Sequence, residues 1–162
     1  MGPVVTIMVG RLDDWLKHVV ARDGILIDPS ALEWAGIAAM KRAYQIFQER
    51  GYRARVLAAA FRNVNQWAEF VGGDVVVSPP FKWQKIIADS DYTARERIAD
   101  PVDPRYLADL ERTPDFVRAY EPDGMTIEEF DEFGPTRKTL RQFLAADADL
   151  DALVRDIIVP AP

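Results

Sequence analysis

The chain has 162 residues, 49% of them apolar, 10% aromatic and 28% charged, which predicts one folded domain of ordinary size rather than a disordered segment. Its 20 Lys and Arg against 26 Asp and Glu leave a net charge of −6, which argues against broad nucleic-acid binding, since displacing counterions from phosphates needs a basic surface. There is no cysteine and only one histidine, His18, so disulfides, thiolate nucleophiles and Cys- or multi-His metal sites are excluded.

Val4-Val5-Thr6-Ile7-Met8-Val9 is a β-branched run stopped by Gly10, and it predicts a buried strand, apolar on both faces as parallel strands are. Residues 11–20 follow as a helix with Leu12, Trp15, Leu16 and Val19 on one stripe and His18 near its end, where a helix-surface role is expected. Ser30-Ala31-Leu32-Glu33 has the spacing of a capping box, in which the Ser oxygen and the Glu carboxylate each take a free backbone N–H. A helix is expected from there to Arg50, ended by Gly51, burying Leu32, Ala35, Ala39, Ala43, Ile46 and Phe47, with Lys41, Arg42, Gln45, Gln48 and Glu49 pointing away.

A second apolar run, 55–60, leads into Phe61-Arg62-Asn63, then a short helix over 65–71 closed by Gly72-Gly73. A third run, 74–78, ends at Pro79-Pro80 and is followed by a helix over 82–88. Strand and helix thus alternate three times with short turns, the pattern of βα units on a parallel sheet. Trp15, Trp34, Trp67 and Trp83 sit at helical positions beside apolar neighbours and are expected to pack between helix and sheet. The second half carries helix starts and no strands, with helices expected over 104–112, 114–120, 127–133, 137–145 and 148–158. Its dense carboxylates show no ligand spacing and read as a solvated face rather than a metal site. No run reaches the roughly 18 uncharged apolar residues of a membrane span, and Met1-Gly2-Pro3-Val4 lacks the pattern of a signal peptide, so a cytoplasmic location and no membrane partner are expected.

In parallel α/β architectures ligands bind beyond the carboxyl ends of the strands. The residues there are Gly10-Arg11, Phe61-Arg62-Asn63 and Ser78-Pro79-Pro80. Guanidinium groups fork onto phosphate oxygens, Gly10 allows close backbone approach, and Thr6 and Ser78 add hydroxyls, so a phosphorylated small molecule is the natural ligand. An arginine after a strand also serves as a surface charge paired with a carboxylate, and the residues alone leave both readings open. Asp14, at i+3 from Arg11, is placed to orient that guanidinium.

Val9-Gly10-Arg11-Leu12-Asp13-Asp14-Trp15 resembles the strand-six motif of transaldolases, Ala58-Ala59-Ala60-Phe61-Arg62-Asn63 resembles their strand-seven motif, and Gly73-Asp74-Val75-Val76-Val77-Ser78-Pro79 is similar to their strand-eight run. The order and spacing agree over residues 4–85. The resemblance implies an α/β fold that is part of a (β/α)8 TIM barrel: the last three βα units over residues 1–90, followed by a mainly helical C-terminal extension over 91–162 packing on the same domain. It implies a transferase of the pentose phosphate pathway that moves a dihydroxyacetone unit from sedoheptulose 7-phosphate to glyceraldehyde 3-phosphate through a Schiff base on a lysine, without metal or organic cofactor. By matched position Arg11 and Arg62 bind the substrate phosphate. Thr6 replaces an active-site serine and Ala60 replaces a phosphate-binding serine; Asn63 and Ser78 complete the pocket.

The same resemblance places the catalytic lysine on strand four and the acid/base carboxylates on strands one and three, and none has a counterpart here, so no catalytic residue is assigned to this chain. A closed barrel takes about 250 residues. Lys17, Lys41 and Lys138 read as helix-surface residues, and Lys82 and Lys85 follow the third strand. Two expectations stand: an enzyme component completed by a partner chain, or a non-catalytic sugar-phosphate-binding remnant that folds alone or as a homo-oligomer closing the open sheet.

Overall fold

The computed structural model describes residues 2–159. The chain divides after Gly124 into two compact units. The first is built on a parallel sheet of strands β1 (Val4–Met8), β2 (Arg55–Ala59) and β3 (Val75–Ser78), adjacent in chain order. Helix α1 (Val9–Asp23) follows β1, α2 (Ala35–Glu49) leads to β2, α3 (Asn65–Ala68) lies between β2 and β3, and α4 (Phe81–Ala88) follows β3. This is the α/β arrangement of a partial TIM barrel, with each strand followed by a helix.

The register sets Val5, Val56 and Val75 in one row and Thr6, Leu57 and Val76 in the next. Side chains alternate between faces along a strand. Val56 and Ala58 are buried on the helix-covered face, whereas Leu57 and Ala59 on the other face are only half-buried. β1 is no buried strand, contrary to expectation: Val4 and Val5 are 40% and 47% exposed. The strand lies at a sheet edge, with a neighbour on one side only. Val77 on the opposite edge strand is exposed as well.

The core joins Val9, Leu12 and Leu16 of α1 to Ile37, Ala38 and Met40 of α2, Val56 and Ala58 of β2, and Phe61 and Phe70. It extends to Leu110 of α5 (Pro104–Leu110) and Phe116 of α6 (Pro114–Tyr120), which belong to this unit. All four tryptophans are partly buried against the core; Trp34 stacks on Tyr106 of α5, Trp67 meets Tyr92 edge-on, and the Trp15 indole N–H donates to Asp115 of α6 at 2.6 Å. His18 is exposed on α1 beside the Trp15 ring.

Several local expectations are corrected. Ser30–Glu33 forms no capping box: Asp28, two residues upstream, accepts both the Ser30 hydroxyl at 2.8 Å and the Ser30 N–H at 2.9 Å, leaving a single 3-10 turn over Ala31–Glu33. The buried side of α2 is also different. Ala39, Ala43, Ile46 and Phe47 are half-buried, while Ile37, Ala38, Met40 and Lys41 are buried, because α1, α3, α6 and β2 surround the helix.

Lys41, expected outside, is 3% exposed. Its ammonium donates to Glu69 Oε2 at 2.7 Å and to the carbonyls of Arg97 and Asp100 at 2.8 and 2.9 Å, which uses all three of its protons.

Among its described residues the second unit contains a 3-10 turn (Glu128–Asp131) and one helix, α7 (Gly134–Ile158). The expected helix over 127–133 is thus a shorter, tighter turn, and the two helices expected over 137–145 and 148–158 are continuous. Ala145-Ala146-Asp147-Ala148 holds neither Gly nor Pro to interrupt them. A reciprocal capping box does occur here: the Thr126 N–H donates to Glu129 at 2.8 Å and Thr126 Oγ1 accepts the Glu129 N–H at 3.4 Å.

Candidate functional site

The carboxyl end of β1 runs directly into α1, so Gly10 and Arg11 lie in the first turn of a helix. Met8 stands at the helix N-cap without a side-chain cap, and the first-turn N–H groups of any α-helix lack intrahelical acceptors. The segment after β2 crosses this turn closely. A methyl on Gly10 would strike the Ala60 carbonyl oxygen and the Arg62 side chain. Arg62 is thereby laid against the residue that precedes Arg11, at the first turn of α1.

The Arg62 guanidinium is held in a defined pose. Its Nε donates to Asp14 Oδ2 at 2.9 Å, its Nη2 lies 2.7 Å from the same oxygen in an ion pair, and its Nη1 donates to the carbonyls of Ala60 and Phe61 at 3.0 and 3.2 Å. Asp14, considered from the sequence as a partner of Arg11, is thus the orienting carboxylate of Arg62. Ala60 takes a positive φ of 60°, which turns its carbonyl back toward the arginine. Positive φ is uncommon outside glycine, and such residues mark turns under constraint.

The other residues singled out from the sequence take two roles. Thr6 and Ser78 lie on the open face of the sheet, Thr6 level with Leu57 and Ser78 further along, level with Ala59. Asn63 shapes the loop: its Oδ1 accepts the Gln66 N–H at 2.9 Å and its Nδ2 reaches the Glu33 carbonyl at 3.4 Å.

Beneath the arginine lies a network that motif reading missed. Asp13 is 1% exposed and Gln66 fully buried. Asp13 Oδ1 accepts the Gly36 N–H at the start of α2 at 2.8 Å, and Oδ2 accepts Gln66 Nε2 at 2.6 Å. Gln66 Oε1 accepts the Arg62 N–H at 2.5 Å. Burial pushes the Asp13 carboxyl up to about 7, against the opposing pull of the Gly36 N–H. A signal existed: Asp13 follows Val9 by four residues and precedes Leu16 by three, so it falls on the buried stripe of α1. Among the described residues no group of three or more Asp, Glu or His side chains could hold a metal ion.

A family model described as "Transaldolase/Fructose-6-phosphate aldolase" matches residues 3–131, most of the chain. The chain belongs to this family. A transaldolase of Nostoc punctiforme is 26% identical over 96% of this chain, and one of Buchnera aphidicola is 25% identical over 94%. A Prochlorococcus marinus transaldolase is 29% identical over 51% of the chain. The first two alignments cover only 44% and 45% of those proteins, so the chain spans just under half the length of the curated relatives it matches. No solved structure gives a significant match.

Proposed function

We propose that this chain supplies the phosphate-binding side of a transaldolase-type active site, at which a dihydroxyacetone unit passes between the sugar phosphates of the pentose phosphate pathway. The observation that carries this reading is the placing of Arg62, fixed by Asp14, against the first turn of α1 that holds Arg11. Arg62, whose charge is shared with Asp14, and the N-terminus of the 15-residue helix that carries Arg11 offer a local anion site on a chain of net charge −6. Thr6 and Ser78 line the sheet face on which the sugar would lie. The remaining strands, with the Schiff-base lysine and the acid/base carboxylates, come from further polypeptide that closes the barrel. The site is cytoplasmic, as its sugar-phosphate substrates are, and uses no cofactor.

Direct titration with fructose 6-phosphate tests the phosphate site. Binding is expected for the native chain, with a loss of about tenfold or more in Arg62→Ala, the scale of removing a charged hydrogen-bonding group. Equal affinity in that variant, with an intact fold, overturns the assignment.

The second reading, a sugar-phosphate-binding chain without transfer chemistry, is favoured by the lysines. Lys17, Lys82, Lys85 and Lys138 are exposed, and Lys41 spends every proton on Glu69 and two carbonyls. Borohydride reduction in the presence of fructose 6-phosphate separates the two. The intact chain alone is expected to gain no mass, and gain is expected when strands one to five of a relative are supplied, with the adduct on the added polypeptide. No adduct in either sample favours the second reading.

A further inference from the structure

We propose that Asp13 and Gln66 are positioning residues for the arginine loop: the ionised carboxylate fixes which way the Gln66 amide faces, and the amide oxygen then holds the Arg62 backbone. The proposal rests on the reading of Arg62 as a phosphate ligand only for its effect on affinity; its effect on the loop is independent of any ligand.

A primary amide has one donating end and one accepting end. Here the donating end meets Asp13 Oδ2 and the accepting end meets the Arg62 N–H. An ionised carboxylate only accepts, so it enforces that orientation. Its second oxygen is taken by the Gly36 N–H, which locks the carboxylate to the start of α2. The chain of bonds therefore runs from α2 through α1 and α3 to the residue that carries the guanidinium. Both side chains are buried beyond the reach of bulk water, so a broken bond here leaves an orphaned group.

A protonated Asp13 reverses the pattern. Its O–H needs an acceptor, and the Gln66 oxygen can serve only if the amide turns over. The amide NH2 then faces the Arg62 N–H, donor against donor. The loop is thus held in one protonation state and released in the other. The carboxyl is pushed up to about 7 by burial, so both states are populated around neutrality. The charged groups around it are Lys17 and Asp14 on its own helix and Glu33 before α2; Lys17 favours the ionised form, and Asp14 and Glu33 oppose it. Arg62 reaches this set through its pair with Asp14.

The test follows the Arg62 amide by nitrogen-15 NMR and hydrogen exchange on the full chain, from below to above neutrality. Protection of the Arg62 amide is expected to fall on the acid side, with the same midpoint as the Gly36 amide shift. In Asp13→Asn the protection is expected to be low at every pH, because the introduced NH2 imposes the turned-over amide. Affinity for inorganic phosphate should fall by about tenfold. Inorganic phosphate itself changes charge around neutrality, so the pH profile is read as the difference between the native chain and this variant.

The double variant Asp13→Asn with Gln66→Glu restores a consistent set. The introduced amide accepts from Gly36 and donates to the introduced carboxylate, whose other oxygen accepts from the Arg62 N–H. Protection and affinity are expected to return together. A folded Asp13→Asn with native Arg62 protection overturns the proposal, as does a double variant no better than the single one. If Asp13→Asn does not fold, the native pH series decides: Arg62 protection that ignores the Gly36 titration overturns it. A native chain that shows the expected protection but binds no phosphate removes the phosphate reading and leaves the positioning pair standing.

Discussion

A methyl group at Gly10 would run into the Ala60 carbonyl oxygen and the Arg62 side chain, and one at Gly36 into the Val9 backbone. At both places two backbone segments cross within a distance only glycine permits, and Gly10→Ala is expected to cost about 2 kcal/mol by urea unfolding, the usual scale of overpacking. Ala60 is the converse case. Its φ of 60° suits glycine better than alanine, so Ala60→Gly should leave stability unchanged or raise it by about 1 kcal/mol. Asp13 links the same region to pH. Its folded-state value is raised from 3.8 to about 7, so folding takes up a proton in that window and this carboxyl's contribution to stability falls as pH rises through it. Denaturation midpoints measured across the window should show that decline in the native chain and lose it in Asp13→Asn. At this scale the arginines were legible in the sequence, because they stand in contiguous motifs at strand ends. Their carboxylate was not: Asp14 is three residues from Arg11 in the chain, yet the fold pairs it with Arg62, 48 residues away.

Among elements, α2 shows how tertiary surroundings override a helical pattern. Lys41 faces Glu69 and the 97–100 segment, and Glu69 is shared with Arg97 Nη1 at 2.7 Å. Removing the ammonium in Lys41→Met leaves a buried carboxylate with one cation instead of two, and a loss of about 3 kcal/mol is expected in chemical denaturation. Lys41→Arg should recover little, since three acceptors converging on one point fit an ammonium and not a planar fork. The strands and the helices over 35–49, 81–88 and 114–120 were legible within a few residues, because apolar runs bounded by Gly and Pro are local signals. The capping box expected at Ser30 fails for an equally local reason. Ser30 and Thr126 both have Glu three residues on, but only Ser30 has Asp28 upstream to take its hydroxyl. Helix α7 is continuous where two helices were expected, and Ala146→Pro should remove much of its contribution to the far-ultraviolet circular dichroism.

Among the described residues the sheet has two unpaired edges, and Val4, Val5 and Val77 are exposed on its outer strands. Such edges pair with further strands when they can. Self-association that rises with concentration is expected by sedimentation, and Val5→Lys should weaken it; a monomer at every concentration contradicts this. The βα alternation, the parallel sheet and the family were all carried by the sequence itself, since they depend on short-range patterning and on motifs read in order along one chain. The tertiary structure alone decided which groups meet: Arg62 with the α1 terminus, Asp14 with Arg62, Asp13 with Gln66, and Lys41 with Glu69. Each of these contacts joins residues distant in sequence: burial leaves Asp13, Gln66, Lys41 and Glu69 no partner but the one brought beside them, while the partly exposed Arg62 and Asp14 are brought together by the close crossing of the segment after β2 over the first turn of α1.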